Sequence, residues 1–544
     1  MTMTDIRSPH MSRSLSLTKP AVRSPRGIVT AQNRHAAQIG ADILAKGGTA
    51  VDAAIATSFA LGVLEPWMSG IGGVGAILIR PDGKGVTAID AGAVSPAALD
   101  PQDFPLVEGK DGDLFGWPNV LEDRNVVGAK SICVPGLLRG VQAAHERFGR
   151  LPWADLVAPA QTLAQDGLVV DAHVTAWAAQ EMGRLRRNEA LAAWFLPEGL
   201  PPVAPAAVAG RVTRLHNPAL AETLAVIAKE GAQALYHGPV AKALCADIQT
   251  LGGYLDCADL AGFRAEISPA ATAPFRDRKV HFVPVLNGGV TVALALRYFN
   301  ETPPDGAAVP SPQGCLASAQ ALARAWAHRF SEMGDGAERS LPSCTTHFSV
   351  VDAEGMCVSM TQTLLSLFGS AVLSPSTGIL LNNGVNWFDP RAGRVNGLAP
   401  ATKALANYAP MMMTGAGETV AIGGSGGRKI LPAIYQALIH LVDHGYGLHD
   451  AIAAPRYDLS APPVLVADAR LGQPTIRTLA AAFDLVLADR EIQPNSFTTL
   501  GAVRRQHGPD GPVNEGMAEP WHLWAEAVVE GAPLMPVPPC RGEI

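Results

Sequence analysis

The sequence predicts a mixed α/β fold, on three observations. Short β-rich runs alternate with helical segments at residues 36–46, 219–230 and 316–330. Glycine and proline punctuate the whole chain, and 48% of it is apolar, an ordinary globular composition. Its 544 residues, with no internal repeat, suffice to bury a large core; length alone would suggest three or four domains.

Taken in order, residues 1–26 are polar and basic, with no apolar stretch of signal-peptide length. They read as a loose tail on a protein that stays in the cytoplasm. The first helical spacing follows over residues 36–46. The richest apolar stretch, 53–79, holds Glu65, Pro66 and five glycines, so no membrane span is expected there. Residues 300–313 form a proline-rich loop, and 533–544 read as a second loose tail.

Composition narrows the function. A net charge of −7 without a basic patch carrying interleaved aromatics argues against nucleic acid as a partner. Seven scattered cysteines, odd in number and lacking C-x-x-C spacing, read as free thiols in a reducing compartment. His440 and His444 lie four apart on a predicted helix, a spacing that can hold a metal. Leu441, Val442 and Asp443 fill the gap where H-E-x-x-H carries its glutamate, so a partly buried pair is expected, with no metal and no cofactor.

The chemistry concentrates in Thr345-Thr346-His347-Phe348-Ser349-Val350-Val351-Asp352. A cut before Thr345 would turn its hydroxyl and a freed α-amine into one nucleophile–base unit, the amine titrating near ~8. Cys344, just before that bond, is a rival nucleophile that nothing nearby favours. From Thr346 to Gln362 two β-rich runs flank Asp352-Ala353-Glu354-Gly355, which suits a type I turn with a glycine bulge. That register sets Thr345 opposite Thr363, His347 opposite Thr361 and Ser349 opposite Ser359. Phe348 then pairs with Met360, and Val350 with Val358, on the other face. An amphipathic hairpin with a wet hydroxyl face fits the same pattern, and both readings stand on pattern alone. Further on, β-rich Glu418-Thr-Val-Ala-Ile leads through glycines into helical spacing over 429–442, a geometry suited to an oxyanion. The loop matches neither G-x-G-x-x-G nor a Walker loop, and a tight strand–helix turn is the plain alternative.

Residues 345–352 resemble the start of the small subunit in the γ-glutamyltranspeptidase family of N-terminal-nucleophile hydrolases. Ala41 to Ala54, Gly70 to Arg80 with Ala88-Ile-Asp90, 143–167, Phe368-Gly369, Gly378 to Asn383 and Gly423 to Ile430 are similar to family motifs in the same order. The resemblance covers roughly residues 27–463. It implies a four-layer αββα sandwich, one intertwined unit made from a large subunit (27–344) and a small one (345–544). It implies a precursor that cuts itself between Cys344 and Thr345, and an acyl-enzyme on Thr345 resolved by water or an amine. By match, Thr363 would orient the Thr345 hydroxyl, and Gly426 and Gly427 would offer backbone N–H groups to the oxyanion. The partners implied are a small-molecule amide, the two fragments themselves and, as an open point, a second processed heterodimer.

The glutamyl-binding set departs from the family. An expected arginine is Gly92, an expected asparagine is Leu365, and acidic and amide positions are Gly384 and Trp387. Paired serines are Ala406-Asn407, ahead of Tyr408. A site built to hydrogen-bond an amino-acid head group depends on such residues. In their place stand Leu365, Phe368, Trp387, Phe388 and Tyr408, which serve equally as core or as ligand wall. Arg124, Arg391, Lys403 and Arg428 are candidate carboxylate partners, with a solvated surface charge as the alternative. Asn125 to Lys130 and Trp387 to Arg391 look closer to cephalosporin (glutaryl) acylase-like and amidohydrolase branches. Only residues 336–344 separate the preceding helix from Thr345, a shorter tether than the family's. Three readings result: an amide hydrolase with an altered acyl pocket, a γ-glutamyl transferase or glutathione hydrolase with rearranged contacts, and an unprocessed binding protein.

Overall fold

Alternation of side chains dictates the register of the central hairpin. In the computed structural model, strands Cys344–Val351 and Cys357–Leu365 pair antiparallel, with His347 opposite Thr361, Phe348 opposite Met360, Ser349 opposite Ser359 and Val350 opposite Val358. The turn is the expected one. Gly355 adopts φ +96, its N–H donates to the Asp352 carbonyl at 3.1 Å, and the Asp352 N–H donates to the Met356 carbonyl at 3.1 Å. The ladder shifts register between Cys344 and Thr346, so Thr345 sits in an irregularity beside Thr363 and not in strict opposition. The structure describes residues 3–12, 14–110, 115–204, 212–335, 344–491 and 497–533. The short tether at 336–343, Cys540 and the tail from 534 onward lie outside the described residues.

This hairpin is the middle of a seven-stranded sheet. Its order is Glu266–Pro269, Thr87–Ala91, Val74–Arg80, Cys357–Leu365, Cys344–Val351, Ile28–Ala31, Glu526–Val529. A second seven-stranded sheet runs Ala271–Phe275, Arg278–Phe282, Met411–Gly415, Glu418–Ser425, Thr499–Gly508, Gly511–Ala518, Val22–Ser24. Helix Ala50–Leu64 starts at a capping box between Thr49 and Asp52, which satisfies orphan N–H groups at its first turn. Its small residues let it lie close on the apolar face of the hairpin, where Phe348, Val350, Val358 and Met360 share a core with Ala53, Ala56 and Phe59. Helices Gly288–Phe299, Pro312–Glu332 and Ile430–Asp443 cover the outer face of the second sheet. The two inner faces meet across Val74, Ala76, Val351, Met412, Ala421 and Val503. The result is four layers, α-β-β-α, as the resemblance implied.

Two expectations are corrected. The hydroxyl face of the hairpin is not wet: the second sheet covers it, and its polar atoms pair internally. His347 is held between Thr361 Oγ1 and Ser349 Oγ at 2.9 Å each, and the Ser359 hydroxyl donates to the Ile422 carbonyl at 3.1 Å. Residues 1–26 are not loose along their length. Val22–Ser24 pairs with Asn514–Gly516, and Met3–Asp5 runs parallel to Leu485–Leu487 at the edge of a small four-stranded sheet. Sheet edges leave N–H and C=O groups unpaired, and these segments satisfy them. Among the described residues no helix is long and apolar enough to cross a membrane.

Candidate active site

Thr345 ends the central strand with its side chain toward the inter-sheet side and is 4% exposed. Its hydroxyl donates to the carbonyl oxygen of Cys344 at 2.5 Å and lies 3.3 Å from Thr363 Oγ1. The Thr363 hydroxyl donates to that same carbonyl oxygen at 2.6 Å, and its oxygen accepts the Leu365 N–H at 2.8 Å. Two hydroxyls thus converge on the carbonyl oxygen of the Cys344–Thr345 peptide bond. The Cys344 thiol points elsewhere, donating toward the Trp67 and Met68 carbonyls at 2.6 and 2.8 Å. Burial holds it well above the usual thiol range, which keeps it protonated and inert.

The glycine loop approaches the same end of the strand. Ser359 meets Ile422, and His347 meets Gly423, where a Cβ would stand 2.3 Å from the imidazole Cε1. Strand Glu418–Ser425 therefore runs antiparallel to strand Cys344–Val351 across the sheet interface, and its end heads toward Thr345. The Gln32 side chain, from the neighbouring strand's end, donates to Ser425 Oγ. Gly426 and Gly427 follow with φ +132 and +62, backbone that favours glycine, and they lead through a short 3-10 turn into helix Ile430–Asp443.

The residues replacing the expected glutamyl-binding set are all buried. Leu365, Trp387, Phe388 and Tyr408 share one apolar cluster with Phe115 and Trp117, and the Trp387 and Tyr408 rings meet edge to face at 5.8 Å. Phe368 leaves this group for another cluster, against Phe195 and Trp67. At Gly92 a Cβ would meet Tyr408 Oη at 2.5 Å and Lys403 Cε at 3.3 Å, so neighbours fill the space of the expected arginine. Asn407 turns to Arg329, whose Nη2 donates to Asn407 Oδ1 at 2.7 Å.

None of the four candidate cations is a solvated, unpaired charge. Arg124 pairs with Glu122, Arg391 with Asp389, and Lys403 with Asp90 and Glu266. Arg428 is fully buried and bonds Asp335 at 2.6 Å, while Asp335 also binds Arg329 at 2.5 Å. Burial pushes the Asp335 carboxyl up, but the two guanidiniums outweigh it and hold it below the usual range. This network ties the end of helix Pro312–Glu332 to the glycine loop.

Glu65 escaped the sequence reading. It caps helix Ala50–Leu64 on the opposite side of the sheet, 1% exposed. Burial, then the charge of Asp171, pushes its pKa up to about 8, against the opposing pull of Thr346 and Asn33. The signal was available: a lone acid inside the apolar stretch 53–79.

The chain matches the gamma-glutamyltranspeptidase family model over residues 36–344 and 338–528. An Acylase ACY 1 proenzyme from Pseudomonas sp. (strain V22) is 34% identical over 476 residues, 80% of this chain and 83% of that protein. A glutathione hydrolase proenzyme from Pseudomonas sp. (strain A14) is 28% identical over 489 residues, 80% of this chain and 82% of that one. The crystal structure of a cephalosporin acylase from Bacillus halodurans shares the fold, with TM-score 0.80 at 22% identity over 96% of this chain and 98% of its own. The family model spans most of the chain and the sandwich is shared: this chain belongs to the gamma-glutamyltranspeptidase family.

Proposed function

We propose that the chain is a self-processing amide hydrolase that works through a Thr345 acyl-enzyme and holds its acyl group mainly by apolar contact. The observation that carries this is the pair of threonine hydroxyls on the Cys344 carbonyl oxygen. In the intact chain, Thr345 Oγ1 attacks the Cys344 carbonyl carbon. A C–O bond forms, the C–N bond breaks, and the hydroxyl proton passes to the leaving nitrogen. Water then hydrolyses the ester, leaving a Cys344 carboxylate and a Thr345 with free amine and hydroxyl. In turnover that amine takes the hydroxyl proton as Oγ1 attacks the substrate amide, and passes it to the departing amine. Backbone N–H groups of Gly426 and Gly427 serve the oxyanion, a role their glycine-only backbone supports.

The apolar cluster around Leu365, Trp387 and Tyr408 argues for an acyl group without a free α-amino acid head. The Trp387 indole N–H makes no hydrogen bond there and is a donor for a polar atom of that group. The 34% identical acylase points the same way. The glutathione hydrolase relative keeps γ-glutamyl hydrolysis as the second reading. Strands from either side of the cut alternate in the first sheet, so the fragments stay together after cleavage unless the sheet unfolds.

Sequencing the N-terminus of the small fragment tests the first step; a start at Thr345 is expected. A persistent full-length band would instead favour the unprocessed binding protein. Hydrolysis of a glutaryl anilide against a γ-glutamyl anilide tests the second, and a strong γ-glutamyl preference would defeat the apolar-pocket reading.

A further inference from the structure

Two thiols outside the threonine site meet at one spot. Helix Gly238–Thr250 carries Cys245, 3% exposed, and helix Cys257–Gly262 begins with Cys257, the exposed one of the six described cysteines. The Cys257 thiol donates toward the Ala241 carbonyl at 3.9 Å. Ala241 lies one turn before Cys245. Helical side chains lean toward the N-terminus, so the Cys245 side chain covers that same turn. Burial pushes the Cys245 thiol up, and a hydrogen bond with the Cys257 thiol and the charge of that group push it further.

The fold holds this placement. Leu255 and Leu260, on either side of Cys257, are buried in the core cluster that also contains Cys245 and Ile248. Asp256 caps the second helix and forms a capping box with Asp259, which fixes the backbone at Cys257. Asp259 also accepts the Ala97 N–H at 2.9 Å. Two thiols kept side by side react with each other as if at high concentration. Their unequal exposure sets the order of events: an external reagent meets Cys257 first, and Cys245 is reached through it.

We infer that Cys245 and Cys257 form a redox modification site that closes to a disulfide when the chain meets the disulfide of a small thiol. The Cys257 thiolate attacks one sulfur of that reagent, its S–S bond breaks, and one small thiol leaves. The Cys245 thiolate then attacks the Cys257 sulfur, the protein disulfide forms, and the second small thiol leaves. The two protein sulfurs are oxidised, the two reagent sulfurs are reduced, and the two protein protons end on the released thiols. Reopening by a thiol strikes the exposed Cys257 sulfur and expels Cys245, which burial makes a poor leaving group. The site is independent of the reaction proposed at Thr345.

The test is to incubate the purified full chain with oxidised glutathione at about pH 8.5, the ordinary thiol pKa, then to alkylate, digest and map the peptides by mass. A cross-linked peptide joining Cys245 to Cys257 is expected. Dithiothreitol before alkylation should remove it and leave both cysteines alkylated. In a Cys245→Ala chain the second step is missing, so a glutathione adduct should persist on Cys257. The inference is overturned by a wild-type chain in which that adduct persists with Cys245 alkylated, by one in which both cysteines stay reduced, or by a Cys245→Ala chain that loses the adduct as readily as wild type.

Discussion

Replacing Thr363 by valine removes one hydroxyl and little volume, and the consequences can be worked out bond by bond. In the intact chain the Cys344 carbonyl oxygen accepts from both Thr345 and Thr363, at 2.5 and 2.6 Å. When Thr345 Oγ1 attacks, its proton leaves and it ceases to be a donor. Thr363 is then the remaining hydroxyl on an oxygen that is turning negative. Removing one such preorganised donor costs about 3–4 kcal/mol, so self-cleavage should slow by about 100- to 1,000-fold. The same change leaves the buried Leu365 N–H without its acceptor, a cost of about 1–3 kcal/mol in stability. The two effects are separable. A denaturing gel followed over time reads the cleavage rate, and a melting curve reads stability. Thr363→Ser, which keeps the hydroxyl, should restore most of the rate. A Thr363→Val chain that cleaves as fast as wild type would refute the reasoning, whatever its melting point.

Three further outcomes are expected. Glu65 keeps its proton in the folded chain up to about pH 8 but loses it near 4.5 when unfolded, so it makes the wild type less stable as pH rises through that window. Glu65→Gln should therefore gain stability over wild type on the order of 4–5 kcal/mol between pH 4 and 9, and a mutant–wild-type difference that is flat with pH in melting experiments would contradict this. Gly423→Ala would drive a methyl into the His347 ring, which two hydrogen bonds hold in place, and should destabilise by about 1–3 kcal/mol on thermal denaturation. Leu365→Asn should shift hydrolysis toward the γ-glutamyl over the glutaryl anilide by about tenfold, and an unchanged kcat/KM ratio would count against a pocket role for this position.

The hairpin was legible because a period of two needs only the order of side chains, and Phe348, Val350, Val358 and Met360 left one register that seals a face. What covers the opposite face was not legible. Ser349 and Ser359 look the same facing water or facing a second sheet, and the strand that covers them, Glu418–Ser425, lies some sixty residues away. Edge pairing by residues 3–5 and 22–24 was hidden for a related reason: backbone groups do the work, and polar side chains give no sign of it. Arg428 read as a carboxylate partner or as a solvated surface charge, and its burial against Asp335 was not legible, because burial of a charge depends on partners that folding alone brings together.

Leu365 shows where spacing ends and conformation begins. Counting from Thr363 locates it but does not reveal that its backbone has φ +85, a region where asparagine and glycine are at ease and leucine is not. Left-handed backbone costs such a residue about 1–2 kcal/mol. Burying the leucine side chain among Trp387, Phe388 and Tyr408 returns about 1.5–3 kcal/mol, so the strained residue is held by its apolar neighbours. The Leu365 N–H also donates to Thr363 Oγ1, which lies 3.3 Å from the Thr345 hydroxyl oxygen. The apolar cluster and the two threonines are therefore joined through one hydrogen bond, and on the proposed mechanism a change at Leu365 also reaches the chemistry at Thr345.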